Sequence, residues 1–505
     1  MKGVMKMKKA LPLMVQGTHS DAGKSLLTTA FCRIFAEDGF KTAPFKSQNM
    51  ALNSYITKDG KEIGRAQGIQ AEAAGVEATT NMNPILIKPT REYEAQIVVH
   101  GVPLQNMYAY EYRKDFFETG RRIITKAYEE LASEYECVVI EGAGSPAEIN
   151  LNDRELVNMR VADIAQSPVI LVGDIDKGGV FASLVGTIQL LSKEHKSKIA
   201  GVVINKFRGD LSLLQPGLDW FEEYTGLPVL GVVPYLDDVE IDAEDSLALT
   251  TYPTLPNPAK ELDVAVISYP RMSNFTDLDP IRFEDDCHVR LVTKPSQLGT
   301  PDLIVFPGSK NTLEDAKYLH ETGLAEAVLA MKNKVNIAGI CGGYQILGEV
   351  ITDPNEVESA QKSIKGLGLL PIHTVMKTKK RTKRVSGHAI LRNQLYQIEG
   401  YEIHMGETTS TEPISHFAEL NGIKEGVTFT RIIGTYVHDI FHNDSFRRAY
   451  LNDIRRQKGL DPIKTTFNSR ERKAESFQKL AAHVRKAIDM KKIYKIMSEY
   501  KSNSR

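Results

Sequence analysis

The sequence predicts an α/β protein. A doubly wound, mostly parallel domain carrying a phosphate-binding loop comes first, then a second α/β domain, then a helical carboxyl-terminal tail. Three observations carry this. Short β-branched runs alternate with helix-length stretches through the first half. Those runs are nearly continuously apolar, as strands covered on both faces of a parallel sheet must be. The alternation breaks at a proline-rich segment and then starts again.

In order, the candidate strands of the first half are Leu11–Gln16, Lys41–Phe45, Glu136–Glu141, Pro168–Gly173, Ile199–Asn205 and Val229–Val233. Between them lie helix-length segments such as Lys24–Asp38, Gly64–Gly75, Glu118–Tyr135 and Gly179–Glu194. The start, Met1–Gly17, resembles a secretory signal only superficially. Its apolar run, Ala10 to Val15, is short and ends at Gln16 without a small-residue cleavage site. It reads as a solvated tip entering a first buried strand.

Asp237–Asp245 is acidic, and Thr250–Glu261 carries Pro253, Pro256 and Pro258, the composition of a boundary. The expected division is a first domain over 1–245, a linker over 246–261 and a second domain over 262–450. The second domain repeats the pattern with DVAVIS from Asp263, DLIVFPG from Asp302, VNIAGIC from Val335 and RIIGTYVH from Arg431. Beyond His442 the chain turns polar and rich in lysine and arginine. Residues 451–505 read as an amphipathic helical cap with a frayed end; a docking surface for a partner is the other reading.

Composition bounds the function. A chain of 505 residues allows roughly three domains at about 150 residues each. Hydrophobic residues at 42% and charged residues at 25% are ordinary for a globular protein and exclude a disordered, collagen-like or coiled-coil chain. Lys+Arg 63 against Asp+Glu 64 leaves a net charge of -1. Such balance gives no global field for a polyanion, so no nucleic acid partner is expected and any bound anion needs a local site. Cys32, Cys137, Cys287 and Cys341 lie far apart with no C-x-x-C spacing, which is neither a disulfide framework nor a zinc site and suits the cytoplasm. Nothing approaches the ~18 continuous apolar residues of a membrane span.

The first candidate site is a phosphate loop. Strand Leu11–Gln16 runs into GTHSDAGKS, Gly17 to Ser25, and then into a helix. Gly17 and Gly23 let backbone N–H groups turn inward, the helix N-terminus adds partial positive charge, Lys24 reaches terminal phosphates and Ser25 suits Mg²⁺. Five residues separate the first glycine from Gly-Lys, where the standard motif has four. Strand Glu136–Ile140 then delivers Glu141 to the carboxyl edge of the sheet, where such folds bind ligands and a carboxylate can hold Mg²⁺. Asp174 and Asp176 follow the next strand as weaker candidates. Asn205 and Lys206 end a further strand, where an amide suits a nucleobase edge and a plain turn explains the pair about as well.

The second candidate site is a thiol. Strand Val335–Ile340 ends in GICGGYQ, with Cys341 at a tight strand-to-helix turn framed by Gly339, Gly342 and Gly343. This is nucleophile-elbow geometry. The backbone N–H of Gly342 and one from Gly308 or Ser309, in PGSKNT, would form an oxyanion hole, each donor typically worth about 10²–10³ in rate. A free thiol is only a few per cent ionised near neutrality and needs a base. His438 is the best-placed candidate and His404 the rival. Cys32 and Cys137 read as core and Cys287 as structural.

An ATP site plus a glutaminase-like thiol makes glutamine-dependent amidation the economical combination. One half converts a carboxylate into an acyl phosphate; the other releases ammonia that attacks it. The segments GTHSDAGKS, FKSQNMALNSYIT, EIGRAQGIQAEAAG, MNPILIKP, EGAGSPAEINL, DIDKGGVFAS, NKFRGD, PGSKNT, GICGGYQILG, YEIHMGET and GTYVHDIF together closely resemble the cobyric acid synthase family of cobalamin biosynthesis. The likeness runs from Leu11 to beyond His442. The group from FKSQNMALNSYIT to MNPILIKP is the most specific, separating this family from cobyrinate a,c-diamide synthase and dethiobiotin synthetase, which share the phosphate loop.

The resemblance implies a dethiobiotin-synthetase-type ATPase domain with Thr18, Lys24 and Ser25 on phosphate and metal, Lys46 as a further phosphate contact, Glu141 as a metal ligand and Asn205 on adenine. It implies a class I-type amidotransferase domain with Cys341 as nucleophile and His438 as base. The implied reaction uses ATP, Mg²⁺ and L-glutamine to amidate the b, d, e and g carboxylates of adenosylcobyrinic acid a,c-diamide. There is one departure. Many class I amidotransferases carry His-Pro-Glu, whereas this chain has His438-Asp439-Ile440. Either a dyad suffices or another acid, such as Glu402, supports the base. The polar segment Ser47–Thr57, with Asn49 and Asn53, is expected to face the corrinoid. The competing readings are a cobyrinate a,c-diamide synthase-type enzyme and a partition-type regulatory ATPase, which has no use for Cys341.

Overall fold

Labelling the strands of the two main sheets in chain order, the first contains β1 (Leu11–Gly17), β2 (Thr42–Phe45), β3 (Cys137–Glu141), β4 (Val169–Asp174), β5 (Ile199–Phe207) and β6 (Val229–Pro234). Their spatial order is β6-β5-β4-β1-β3-β2, and every pairing is parallel. The order reverses direction beside β1, so the crevice at its carboxyl end is the topological switch point. The strands coincide with the expected runs to within one or two residues. The computed structural model describes residues 10–236, 249 and 252–503; the expected solvated tip, the acidic run Asp237–Asp245 and the start of the linker lie largely outside them.

Alternating residues of each strand feed two cores. Met14, Val138, Ile140 and Leu171 pack on one face with Ile124, Tyr128 and Leu131 of helix Phe117–Glu134. Leu13, Val15, Val139 and Val172 pack on the other with Phe31, Ile34 and Phe35 of helix Lys24–Glu37. This second core also holds Leu480, Val484, Ile493 and Met497, from helices Ser469–Ala487 and Met490–Asn503, and Ile488 from the extended turn between them. The basic tail is thus helical as expected, and from Ser469 onward it is a structural layer of the first domain. Its five large apolar side chains contribute on the order of 10 kcal/mol of burial at ~1.5–3 kcal/mol each, an upper bound. The expected helix Gly179–Glu194 is two helices, Val180–Leu190 and Lys193–Lys196. Leu191 turns extended between them, and the Ser192 side chain caps the second by accepting from His195 N.

The second sheet contains β7 (Leu262–Ile267), β8 (Cys287–Val292), β9 (Leu303–Phe306), β10 (Asn336–Ile340), β11 (Val427–Phe429) and β12 (Ile432–Thr435). Its order is β8-β7-β9-β10-β12-β11, parallel except for the last pair. Helix Asp444–Gln457 runs on through residue 450 and ties this domain together: Arg447 and Arg448 both donate to Glu284.

Two insertions position the sites. A meander of Ile85–Arg91, Glu94–Val99 and Val102–Tyr108 projects from the first domain. A long hairpin of Ile372–Leu391 and Gln394–Ser410 projects from the second. The hairpin reaches back across the domain boundary, where Arg384 Nε donates to Ile56 O at 2.9 Å and Lys380 pairs with Glu62.

Candidate active site

At the carboxyl edge of the first sheet, β1 ends in Gly17 and hands the chain to the phosphate loop. The loop needs small residues. A Cβ on Gly17 would lie 3.1 Å from Lys24 Nζ, and one on Gly23, where φ is +98°, would lie 2.0 Å from Asn205 Nδ2. Lys24 Nζ donates to His19 O at 2.9 Å and to Gly144 O at 3.2 Å, so its ammonium curls over the loop. Asn205 Nδ2 donates to Ala22 O at 2.9 Å, which places β5 against the loop.

Glu141, at the end of β3, is the hub. Its Oε1 accepts from Ser25 Oγ at 2.7 Å and from Lys46 Nζ at 2.9 Å, and its Oε2 accepts from Gln70 Nε2 at 2.6 Å. A hydroxyl, a carboxylate and two ammonium groups therefore converge at the switch point. The Thr18 hydroxyl oxygen there is buried without a hydrogen-bond partner. Buried polar groups are normally paired, so an orphan beside a phosphate loop fits a nucleotide phosphate. Ser25 and Glu141 are hard oxygen donors of the kind Mg²⁺ takes together with phosphates. Asp174 is committed elsewhere: it accepts from Lys206 Nζ at 2.8 Å and from Asp176 N at 2.9 Å.

The segment expected to face the corrinoid is less open than a polar loop. It forms short strands Gln48–Met50 and Ser54–Ile56, with Asn49 and Asn53 both buried. Asn49 Nδ2 donates to Gln67 Oε1 at 3.0 Å, an internal tie rather than a solvated one. Tyr55 and Ile56, in contrast, line a groove at the domain boundary with Arg65, Arg384, Tyr401 and Lys473.

The thiol site forms where β10 meets the helix Gly342–Ile346. Cys341 sits between them at φ 54°, ψ −111°, in the left-handed half of backbone space, as a nucleophile elbow requires. Its N–H donates to Thr435 O at 2.8 Å, and its thiol lies 3.4 Å from Ile403 O. Neighbouring glycines let the backbones close in. A Cβ on Gly342 would lie 2.7 Å from Ser309 N, and one on Gly308 would lie 3.3 Å from His438 Cε1. Gly308, Ser309, Cys341, Gly342 and His438 are thereby gathered at one point.

Asp277 was not legible in the sequence. It is fully buried in the 3₁₀ turn Phe275–Leu278, and its Oδ2 pairs with His438 Nδ1 at 2.7 Å. Its Oδ1 accepts from Asp439 N at 2.8 Å, so both carboxylate oxygens are used. Burial disfavours charge on the imidazole, but Asp277 and then Cys341 outweigh it and push the ring up to about 10. Tyr401 stacks on the ring at 5.0 Å and holds it through His438 N to Tyr401 O at 2.8 Å. The acid beside His438 is therefore Asp277 and not Glu402. Glu402 instead pairs with Arg381 at 2.7 Å and faces His404 at 3.6 Å. The rival His404 bonds Gly406 O through Nδ1 and stacks on Tyr436, which fits a wall residue of the pocket.

Cys32, Cys137 and Cys287 are buried, in keeping with structural roles. Among the described residues no helix is long and apolar enough to cross a membrane.

The two sites meet at the domain boundary. Arg65 begins helix Arg65–Ala73, which also carries Gln70 on Glu141, and it pairs at 3.4 Å with Asp439, the neighbour of His438. Ser54 N donates to Asn274 Oδ1 at 2.8 Å, and Lys88 of the first domain lines the pocket that holds Cys341.

Comparison with known proteins agrees with this division. Residues 13–248 match the CobQ/CobB/MinD/ParA nucleotide binding domain, and residues 263–446 match the CobB/CobQ-like glutamine amidotransferase domain. A cobyric acid synthase of Geobacillus sp. (strain WCH70) is 59% identical over 96% of this chain and 98% of its own. That of Geobacillus kaustophilus is 56% identical over 98% and 99%, and that of Streptococcus sanguinis 49% identical over 96% and 98%. With a phosphate loop and a buried Cys-His-Asp constellation in one chain, and this likeness along nearly its whole length, the protein belongs to the cobyric acid synthase family.

Proposed function

We propose that this chain converts adenosylcobyrinic acid a,c-diamide to adenosylcobyric acid, amidating its b, d, e and g carboxylates with nitrogen from glutamine. The carrying observation is the Cys341–His438–Asp277 constellation set directly against the ATP-binding domain through Arg65 and Asp439. A nucleotide switch alone has no use for it.

In the second domain, His438 holds the proton and Cys341 attacks the γ-amide carbon of glutamine as thiolate. The oxyanion forms against backbone N–H groups of Gly342 and of the Gly308–Ser309 loop. Asp277 fixes the ring so that Nε2 faces the thiol and can pass its proton to the departing ammonia. Water then cleaves the γ-glutamyl thioester, giving glutamate and restoring the thiol.

In the first domain, Lys24 and Lys46 neutralise phosphate charge, Thr18 and the loop amides hold the phosphates, and Asn205 supports the loop from the adenine side. Mg²⁺, held by Ser25 and Glu141, would add charge neutralisation at the transferring phosphoryl group. The substrate carboxylate takes the γ-phosphoryl group of ATP, ammonia displaces phosphate, and the products are amide, ADP and phosphate. The groove lined by Tyr55, Arg65, Arg384 and Lys473 supports a polycarboxylate macrocycle at the boundary better than the buried Asn49 and Asn53 do.

The test is incubation with ATP, glutamine and the corrinoid a,c-diamide, followed by mass spectrometry. Each amidation changes the mass by the difference between a hydroxyl and an amino group. Four such increments support this reading. Two increments, starting from cobyrinic acid, would assign the chain to a,c-diamide synthesis instead.

A further inference from the structure

The Cys341 pocket is lined from both domains by Lys88, Lys310, Lys380 and Glu358, besides the loop residues already described. These groups are not equivalent. Lys88 Nζ donates to Ser54 Oγ at 2.7 Å and Glu62 Oε1 at 2.6 Å, and Lys380 pairs with the other oxygen of Glu62. Both ammonium groups are spoken for. Lys310 is buried in the same pocket, yet among the described residues its ammonium makes no hydrogen bond and no ion pair. Glu358, the carboxylate that favours its charge most, already accepts from Thr312 N at 2.8 Å. Three lysines against two glutamates leave one buried positive charge uncompensated beside the thiol.

A buried cation without a partner is costly. Burial, followed by Lys380, depresses Lys310 to about 8, and Glu358 works against that. Lys310 lines the pocket with its hydrogen-bonding capacity unused. The substrate supplies what is missing. When the side-chain amide carbon of glutamine sits at the thiol, its α-carboxylate is only roughly 5 Å further along the extended chain. It must then be bound inside this same pocket. Resting on the amidotransferase reading above, we propose that Lys310 binds the α-carboxylate of glutamine and so makes the site select the free amino acid over simple amides.

The test compares glutaminase activity on L-glutamine and on 4-aminobutanamide, which lacks the α-carboxylate, in the full-length enzyme and in Lys310→Met. The wild type should strongly prefer glutamine. In the variant, kcat/KM for glutamine should fall about 10- to 100-fold, mainly through KM, as expected for losing a hydrogen bond to a charged group. Activity on 4-aminobutanamide and amidation driven by ammonium salts should stay within about twofold. Alkylation of Cys341 by neutral iodoacetamide should be unchanged, while inactivation by 6-diazo-5-oxo-L-norleucine, which keeps the α-carboxylate, should slow in step with glutamine. Should Lys310→Met fail to fold, as judged by lost ammonium-driven amidation, Lys310→Gln replaces it with the same expectations.

A wild type indifferent to the α-carboxylate would overturn the proposal, as would an unchanged KM for glutamine in the variant. Equal slowing of iodoacetamide would also overturn it, because Lys310 would then serve the thiol and not the substrate. If the wild type released no ammonia from glutamine, the failure would lie with the amidotransferase reading itself.

Discussion

Replacing Asp277 by Asn tests the glutaminase site at its least obvious residue. The change is nearly isosteric, so packing around the fully buried side chain is preserved. The hydrogen bonding is not. Both Asp277 oxygens accept, from His438 Nδ1 and from Asp439 N, and an amide offers one acceptor and one donor. Either the ring adopts the wrong tautomer or the Asp439 N–H is left facing a donor. Charge is lost as well. From an ordinary 6.5 to about 10, the preference for the protonated ring is roughly 5 kcal/mol at ~1.36 kcal/mol per pH unit. Asp277 and Cys341 share it. If Asp277 supplies about half, its loss costs about 2–3 kcal/mol, or roughly 10²-fold in rate. The wrong tautomer would add to that. The assay is steady-state amidation with glutamine and, separately, with ammonium salts. Glutamine-driven kcat/KM should fall at least about 10²-fold while ammonium-driven turnover stays within about twofold. Glutamine-driven rates within threefold of wild type would refute the assignment of Asp277, as would an equal loss with ammonium.

Glu402→Gln is the matching control: it removes a partner of Arg381 and His404 and should leave glutamine-driven kcat/KM within about threefold. A hundredfold loss would restore Glu402 as the supporting acid. Burial works against a charge on Glu62, but Lys380 and then Lys88 hold its carboxyl well below the ordinary value of 4.5. Its stabilisation is therefore present above pH 4.5 and is lost as pH falls, because the unfolded chain takes up the proton first. Glu62→Gln, measured by urea unfolding, should destabilise the protein by about 3–5 kcal/mol at pH 7 and by progressively less below pH 4.5. A difference that does not change between pH 7 and pH 3 would contradict this. Truncation after Asn468 uncovers the core containing Phe31, Phe35 and Val139; the shortened chain should unfold at lower temperature and bind an apolar dye, and an unchanged melting temperature would show the tail to be dispensable.

Most of the fold was legible because both main sheets are buried on two faces, so their strands appear as continuous apolar runs that need no partner to be recognised. The phosphate loop and the thiol elbow were legible for a related reason. Each is a local motif in which strand, glycines and reactive side chain are adjacent in sequence. Asp277 is a different case. It meets His438 across 161 residues, in a turn whose neighbours include Asp279, and no spacing distinguishes one acid from the other. The clue available was the apolar frame, Phe275 and Leu278, around an acid that ends fully buried. The long hairpin Ile372–Leu391 and Gln394–Ser410 escaped notice because charged and exposed positions dominate its first strand and no apolar alternation survives. Asn49 and Asn53 are polar yet buried, because here polar side chains fill the interior between the two sites, and polarity alone does not reveal that.

The most direct measurement is the origin of the nitrogen in the product. Wild-type enzyme and Cys341→Ser are each given ATP, the corrinoid, glutamine labelled with ¹⁵N at the amide, and a limited amount of unlabelled ammonium. The wild type should build its new amides from ¹⁵N, and the variant should build the same amides from ¹⁴N alone. Labelled amides from the variant, or no product from it at any ammonium concentration, would contradict the division of labour between the two domains.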